Sequence, residues 1–238
     1  MGVWGKLGGA GIGALLGGPL GALVGAAAGH ALFDRDGALF GPAPADFVFA
    51  TGLVALSAKM AKADGVVTHD EIAAFRRIIE VPEADMPRVE ALFSLARRTA
   101  DGFEAYARQL ASRFGHDRAL LEGVLDGLFE IAKADHAIHE AETRYLQAVA
   151  AELGFDAQDF ARIEARHVAR PDDPYVVIGG SREMSDADLV KLYRGQIVES
   201  HPDRLIAQGL PQEAIAIATD RAAALNAAWD RIRRERNI

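Results

Sequence analysis

Cysteine is absent from the 238 residues, which excludes disulfides, zinc–thiolate sites and thiol nucleophiles and fits a reducing compartment. Basic charge is in short supply. Lys and Arg number 26 against 34 Asp and Glu, giving a net charge of −8 and a pI near 5.4. A nucleic-acid binder carries a basic footprint, so no nucleic acid is expected as a partner. Catalytic signatures are missing too: there is no P-loop, GxSxG, HExxH or dinucleotide fingerprint. The glycine-rich residues 8–29 lack the Lys and Ser/Thr of a phosphate loop. No catalytic residue is expected, and the chain is not expected to be an enzyme. What remains is ordinary globular composition, half apolar and a quarter charged.

Formal charge is also absent from Leu7 to Phe33, with His30 taken as neutral. As a helix this stretch would run roughly 40 Å, enough to span a hydrocarbon core of about 30 Å. Gly5, Gly9, Gly13, Gly17, Gly21, Gly25 and Gly29 fall at every fourth position. Small residues at that spacing let a second helix approach closely in lipid, and a bilayer tolerates Gly and Pro19 better than water does. Residues 1–33 are expected to form one spanning helix that self-associates through Gly9, Gly13, Gly17, Gly21, Gly25 and Gly29 into a homodimer. Two alternatives are a signal peptide cleaved near Ala26-Ala27-Ala28 and a soluble glycine-rich packing segment. Lys6 and Arg35 on the two flanks nearly cancel, so charge does not orient the span.

Residues 34–44 read as a Gly/Pro/Asp linker. From 45 to 168 the periodicity is helical and shows no convincing strand. It predicts helices over about 45–63, 69–80, 86–100, 102–114, 117–134, 139–153 and 156–168, broken at Asp64-Gly65, Val81-Pro82, Gly115 and Gly154. Met60-Ala61-Lys62-Ala63-Asp64 through Glu71 returns as Ile131-Ala132-Lys133-Ala134-Asp135 through Glu142. Each copy is the end of one helix, a tight loop and the start of the next. The repeat could bring Asp64, Glu71, Asp135 and Glu142 together, an all-oxygen set suited to Ca²⁺ or Mg²⁺. The same residues also read as plain local structure. Thr68-His69-Asp70-Glu71 is a capping box, and Asp before Gly is turn chemistry. No metal or cofactor is required.

In the last third, Leu189, Leu192, Tyr193 and Ile197 form one apolar helix face after a Ser185 N-cap with Asp186 and Asp188 in the first turn. Pro202 stops that helix and pushes His201 out of the α region. Pro211 opens a second helix with a stripe of Ile215, Ala218, Ala222, Leu225 and Trp229. A polar loop beginning His201-Pro202-Asp203 is expected between them. Arg231, Arg233, Arg234 and Arg236 are expected to complement the C-terminus of the last helix. Alone, the triplet could be no more than a helix stop.

Its surroundings resemble a J-domain of the DnaJ-type co-chaperones. The resemblance rests on Asp173-Pro174-Tyr175-Val176-Val177-Ile178-Gly179, Leu189 to Arg194, His201-Pro202-Asp203-Arg204 and Leu225-Asn226-Ala227-Ala228-Trp229, in that order. The repeated helix–loop–helix before it resembles a TerB domain, a family thought to bind metal at its repeated carboxylates. With an N-terminal anchor, the whole is similar to the membrane-anchored DjlA type. The resemblance implies an all-α protein: an N-terminal transmembrane helix, a TerB-like helical bundle over 45–168 and a J-domain hairpin over 172–238. It also implies docking on a DnaK-type chaperone and stimulation of its ATP hydrolysis, with His201, Pro202 and Asp203 as trigger and Lys191, Arg194 and Arg204 steering. The C-terminal bulk would then be cytoplasmic, beneath a bacterial inner membrane. Gly195, Gln196 and Glu199 depart from the family pattern and thin the basic face. The alternative is a metal-responsive stress or scaffold protein with a degenerate J-like module.

Overall fold

A computed structural model describes residues 21, 45–63, 75, 86–98, 102–135, 138–167 and 173–238. Among these residues regular structure is helical throughout: α1 Ala45–Ala63, α2 Met86–Ala96, α3 Phe103–Phe114, α4 Arg118–Ala132 with a 3-10 turn at Lys133–Asp135, α5 Glu140–Glu152, α6 Ala157–Glu164, α7 Pro174–Val177, α8 Asp186–Glu199, α9 Pro202–Ala207 and α10 Gln212–Arg236. The expected all-α class is therefore observed. The expected helix at 69–80 lies outside the described residues except for Phe75, which is helical and buried. The other six expected helices of the 45–168 segment are present, with ends within a few residues of those expected.

α1 is the hub. It packs against α2, α3, α4 and α5, and from Phe47 to Ala61 every residue but Gly52 is a buried side chain. A helix surrounded by core is apolar all round rather than striped. Its two hydroxyls are satisfied within the helix. Thr51 Oγ1 donates to Phe47 O at 2.7 Å and Ser57 Oγ to Leu53 O at 2.7 Å. Gly52 has a packing reason, since a Cβ there would stand 2.6 Å from Leu110 Cδ2 of α3. The α1–α5 contact is fixed by Tyr145, whose hydroxyl donates to Leu56 O at 2.8 Å.

α4 links the two parts of the fold. It meets α1, α3, α5 and α6 within the core and receives α10 from the C-terminal hairpin. Gly123 and Gly127, one turn apart on α4, form a shallow groove for Ile217: a Cβ on Gly127 would meet Ile217 Cδ1 at 2.8 Å. Leu205, Leu210, Ala214, Ile217 and Ala218 belong to the same buried cluster as the α1–α6 residues. The hairpin also keeps a smaller core of its own, with Tyr175, Ile178, Leu189, Leu225, Trp229 and Ile232 at its centre.

None of the helices among the described residues is long and apolar enough to cross a membrane. Of the glycines expected to pair two helices in lipid, Gly21 is helical and buried, while Gly9, Gly13, Gly17, Gly25 and Gly29 lie outside the described residues.

Candidate functional site

α8 begins as its sequence dictates. The Ser185 side chain caps it by accepting from Asp188 N at 3.2 Å, and Asp186 and Asp188 occupy the first turn. Leu189 is fully buried, and Leu192, Tyr193 and Ile197 pack on the hairpin core. The Tyr193 ring stacks on Trp229 of α10 with centroids 4.8 Å apart, and its hydroxyl donates to Asn226 Oδ1 at 2.7 Å. That contact locks α8 against α10 and turns Lys191 and Arg194 outward, three positions apart and exposed.

The stretch expected as a polar loop is instead a short helix. His201 is extended (φ −66°, ψ 130°), as a residue before proline must be, and Pro202 takes the first position of α9. Proline there loses nothing, because the first-turn N–H has no intrahelical partner in any case. The helix closes on Gly209 at φ +70°. Gly209 N donates to Ile206 O and Leu210 N to Leu205 O, both at 3.0 Å, which is a Schellman ending. Leu205 and Leu210, the two residues such an ending brings together, are buried in the helical core.

The triplet itself faces out. The His201 and Asp203 side chains are 52% and 83% exposed. His201 Nδ1 accepts from Asp203 N at 3.2 Å, which leaves Nε2 for a partner. Val198 and Ile206, on either side of the triplet, are exposed apolar residues. Both were missed in sequence because neither belongs to an apolar stripe.

Arg204 is placed differently from Lys191 and Arg194. Its Nη1 donates to Glu199 O at 2.8 Å and its Nη2 to Asp117 Oδ2 at 3.0 Å. Arg236 also departs from expectation. Rather than serving its own helix end, it reaches back to Asp186 Oδ1 at 2.7 Å, Met184 O at 2.9 Å and the Tyr175 hydroxyl at 2.9 Å. The long α10 ends beside the start of α8, so the nearest acceptors belong to its neighbour.

Where the core meets the hairpin, α4, α6 with the turn after it, and α10 share a buried ionic cluster. Arg221 Nη2 of α10 lies 3.0 Å from Glu122 Oε1 and 3.1 Å from Gln196 Oε1. Glu122 also binds Arg162 at 2.5 and 3.0 Å and Arg166 at 2.8 Å. Arg166 Nη2 and His167 Nε2 each stand 2.7 Å from Asp126 Oδ1, and His167 Nδ1 lies 3.2 Å from Glu130 Oε1. Burial alone would raise the Glu122 and Asp126 carboxyls, but Arg166 above all holds both below the usual carboxylate range. Burial likewise opposes charge on His167. Its hydrogen bonds to Asp126 and Glu130 outweigh that, and its pKa is raised. Both ring nitrogens face carboxylates, an arrangement only the imidazolium satisfies by donating twice. Gln196, an outlier against the J-domain pattern, is thus a partner of buried Arg221.

Of the four carboxylates considered for a cation, Asp64, Glu71 and the Asp135 side chain lie outside the described residues. Glu142 is buried, and its Oε2 accepts from His139 N at 2.8 Å, capping α5. Among the described residues no three His, Asp or Glu side chains gather as an ion site. Glu142 is thus engaged as a cap of α5.

An all-helical core ending in a helix pair with an exposed His-Pro-Asp turn defines the class: a DnaJ-like co-chaperone fold. Residues 50–165 match the family described as Tellurite resistance protein TerB, and residues 1–55 match the Co-chaperone DjlA transmembrane domain. Co-chaperone protein DjlA of Photobacterium profundum is 31% identical over 99% of this chain and 100% of that protein. The protein of the same name from Coxiella burnetii is 28% identical over 98% of each chain. No solved structure matches. The chain belongs to the DjlA family of co-chaperones and carries that family's membrane anchor segment. The anchor match runs into the first half of α1, where the apolar residues serve the core.

Proposed function

We propose that the protein is a single-pass inner-membrane co-chaperone whose hairpin presents His201, Pro202 and Asp203 to a DnaK-type chaperone and stimulates its ATP hydrolysis. The observation that carries this is the exposure of His201 and Asp203 at a turn whose two ends are fixed. A turn that is rigid before contact loses little entropy on docking. Lys191 and Arg194 would steer the encounter with an acidic partner surface, and Val198 and Ile206 would add apolar contact. The protein acts as a regulator and performs no chemistry of its own. The C-terminal bulk lies in the cytoplasm, where the ATP-dependent partner works. Two protomers pair through Gly9, Gly13, Gly17, Gly21, Gly25 and Gly29, which raises the local concentration of turns near a membrane-bound client.

Co-sedimentation of a DnaK-type chaperone with proteoliposomes carrying the full chain tests this. ATP-dependent capture by the wild type and its loss with His201→Gln are expected. Equal capture by both would overturn the proposal.

A further inference from the structure

Asp117 lies far from the triplet in sequence, at the N-cap of α4. Its carboxylate is 3% exposed and divides its two oxygens between two jobs. Oδ1 accepts from Leu120 N at 3.2 Å and starts α4. Oδ2 accepts from Arg204 Nη2 at 3.0 Å and from Gln208 Nε2 at 3.2 Å, so it grips α9 at two points. The other arm of Arg204 reaches Glu199 O at 2.8 Å. Glu199 precedes the triplet and Arg204 follows it, so one guanidinium ties both ends of the turn to one buried carboxylate of the helical core.

We propose that Asp117 is a positioning residue for the His201-Pro202-Asp203 turn, and that the helical core thereby forms part of the chaperone-docking apparatus rather than a tethered neighbour. This rests on the function proposed above. Three further contacts bear on the same segment. Leu205 and Leu210 anchor α9 in the core. Ser200 Oγ donates to Gln196 O at 2.6 Å and closes α8. Arg221, bound to Glu122 and Gln196, holds α10 and α8 to α4 together. Arg204 is therefore a strut whose charge is met within the molecule, while Lys191 and Arg194 remain free to meet a partner.

The variant that separates the two jobs of Asp117 is Asp117→Asn. Asn serves as well as Asp at an N-cap, so α4 keeps its start, but the amide cannot offer a charged acceptor to both Leu120 N–H and Arg204. In the full chain held in lipid nanodiscs, amide hydrogen exchange at Arg204 and Gln208 is expected to quicken by about tenfold, the loss of one charge-assisted hydrogen bond. Exchange along α4 should stay as in the wild type. Maximal stimulation of a DnaK-type chaperone is expected to fall several-fold, and Arg204→Met should give the same fall. The double variant should be no worse than either single one, the signature of two residues acting as a unit. Unchanged exchange at Arg204 in Asp117→Asn would overturn the proposal. So would an Arg204→Met defect confined to the half-saturating chaperone concentration, which would make Arg204 a direct contact. A wild type that fails to stimulate any such chaperone would remove the function itself, and the exchange measurement would still decide whether Asp117 fixes the turn.

Discussion

The Arg221 guanidinium of the last helix stands 3.0 Å from the Glu122 carboxylate of α4, with 2% and 4% of the two side chains exposed. A pair so placed exerts its leverage when one partner is removed, because the other is then a buried, uncompensated charge. Glu122→Gln would leave Arg162, Arg166 and Arg221 crowded around a neutral amide. It is expected to lower the unfolding free energy by about 3–5 kcal/mol, read as the shift in a urea midpoint. Glu122→Leu with Arg221→Met should recover only the part owed to Arg221, because Arg162 and Arg166 still lose their shared carboxylate. A Glu122→Gln variant within about 1 kcal/mol of wild type, the range of an exposed pair, would contradict the account of the interface.

The same cluster sets a pH window. Glu122, Asp126 and Glu130 have lowered folded-state values, so their contribution is present above the ordinary carboxylate range and fades as the pH falls below it. The His167 value is raised above 6.5, so its contribution is complete below 6.5 and fades as the pH climbs through the raised value. His167 is surrounded by Asp126, Glu130 and Lys133 from α4 and its 3-10 turn, Arg166 from its own turn, and Asp220 and Arg221 from α10, around a cavity of about 340 Å³. Stability measured against pH should peak between the two limits. His167→Gln should flatten the alkaline side and also weaken the acid side, because His167 is one of the groups that hold Asp126 and Glu130 low. An alkaline limb identical in the two proteins would rule His167 out as its source.

Packing at the α4–α10 crossing makes a prediction of the opposite kind. Gly127→Ala places a Cβ 2.8 Å from Ile217 Cδ1, inside van der Waals contact. Helix propensity favours the change by about 1 kcal/mol, but overpacking costs about 1–3 kcal/mol, so a net loss of stability is expected. Ile217→Val in the same chain should restore it by removing the offending methyl. Thermal unfolding of the single and double variants checks both signs.

Much of the fold was legible in sequence. The helical period, the Ser185 cap, Pro202 and Pro211 placed most elements, because each acts within a turn or two of chain. The His201-Pro202-Asp203 turn was legible as a motif, and its short helix was not, because a proline that ends one helix is also a good first residue for another. The interface between core and hairpin stayed hidden although its parts stood at regular spacing. Glu122-Gly123, Asp126-Gly127 and Glu130 repeat at four-residue intervals on α4. Acidic residues beside glycines read as a solvated helix face until the partners Arg162, Arg166, His167 and Arg221 are brought in from distant segments. Arg221 likewise interrupts the buried stripe of α10, where Ala218 and Leu225 suggested an apolar seam.

Gly195 gives a prediction on the docking face. It is exposed in α8, and a Cβ there would meet nothing within 4 Å. Gly195→Lys should stabilise the helix by about 1 kcal/mol and set a third cation beside Lys191 and Arg194 on the same face. The half-saturating concentration of chaperone should fall, with a steeper dependence on salt. No change in either would mean that this face does not take part in the encounter.

The most direct test of the central claim is steady-state ATP turnover by a DnaK-type chaperone from the same organism, with and without the full chain in lipid nanodiscs. Several-fold stimulation by the wild type is expected, with none by His201→Gln at equal folding and equal orientation in the bilayer. Stimulation that survives His201→Gln, or its absence from both proteins, would contradict the account and remove the exposed turn as the working part of the molecule.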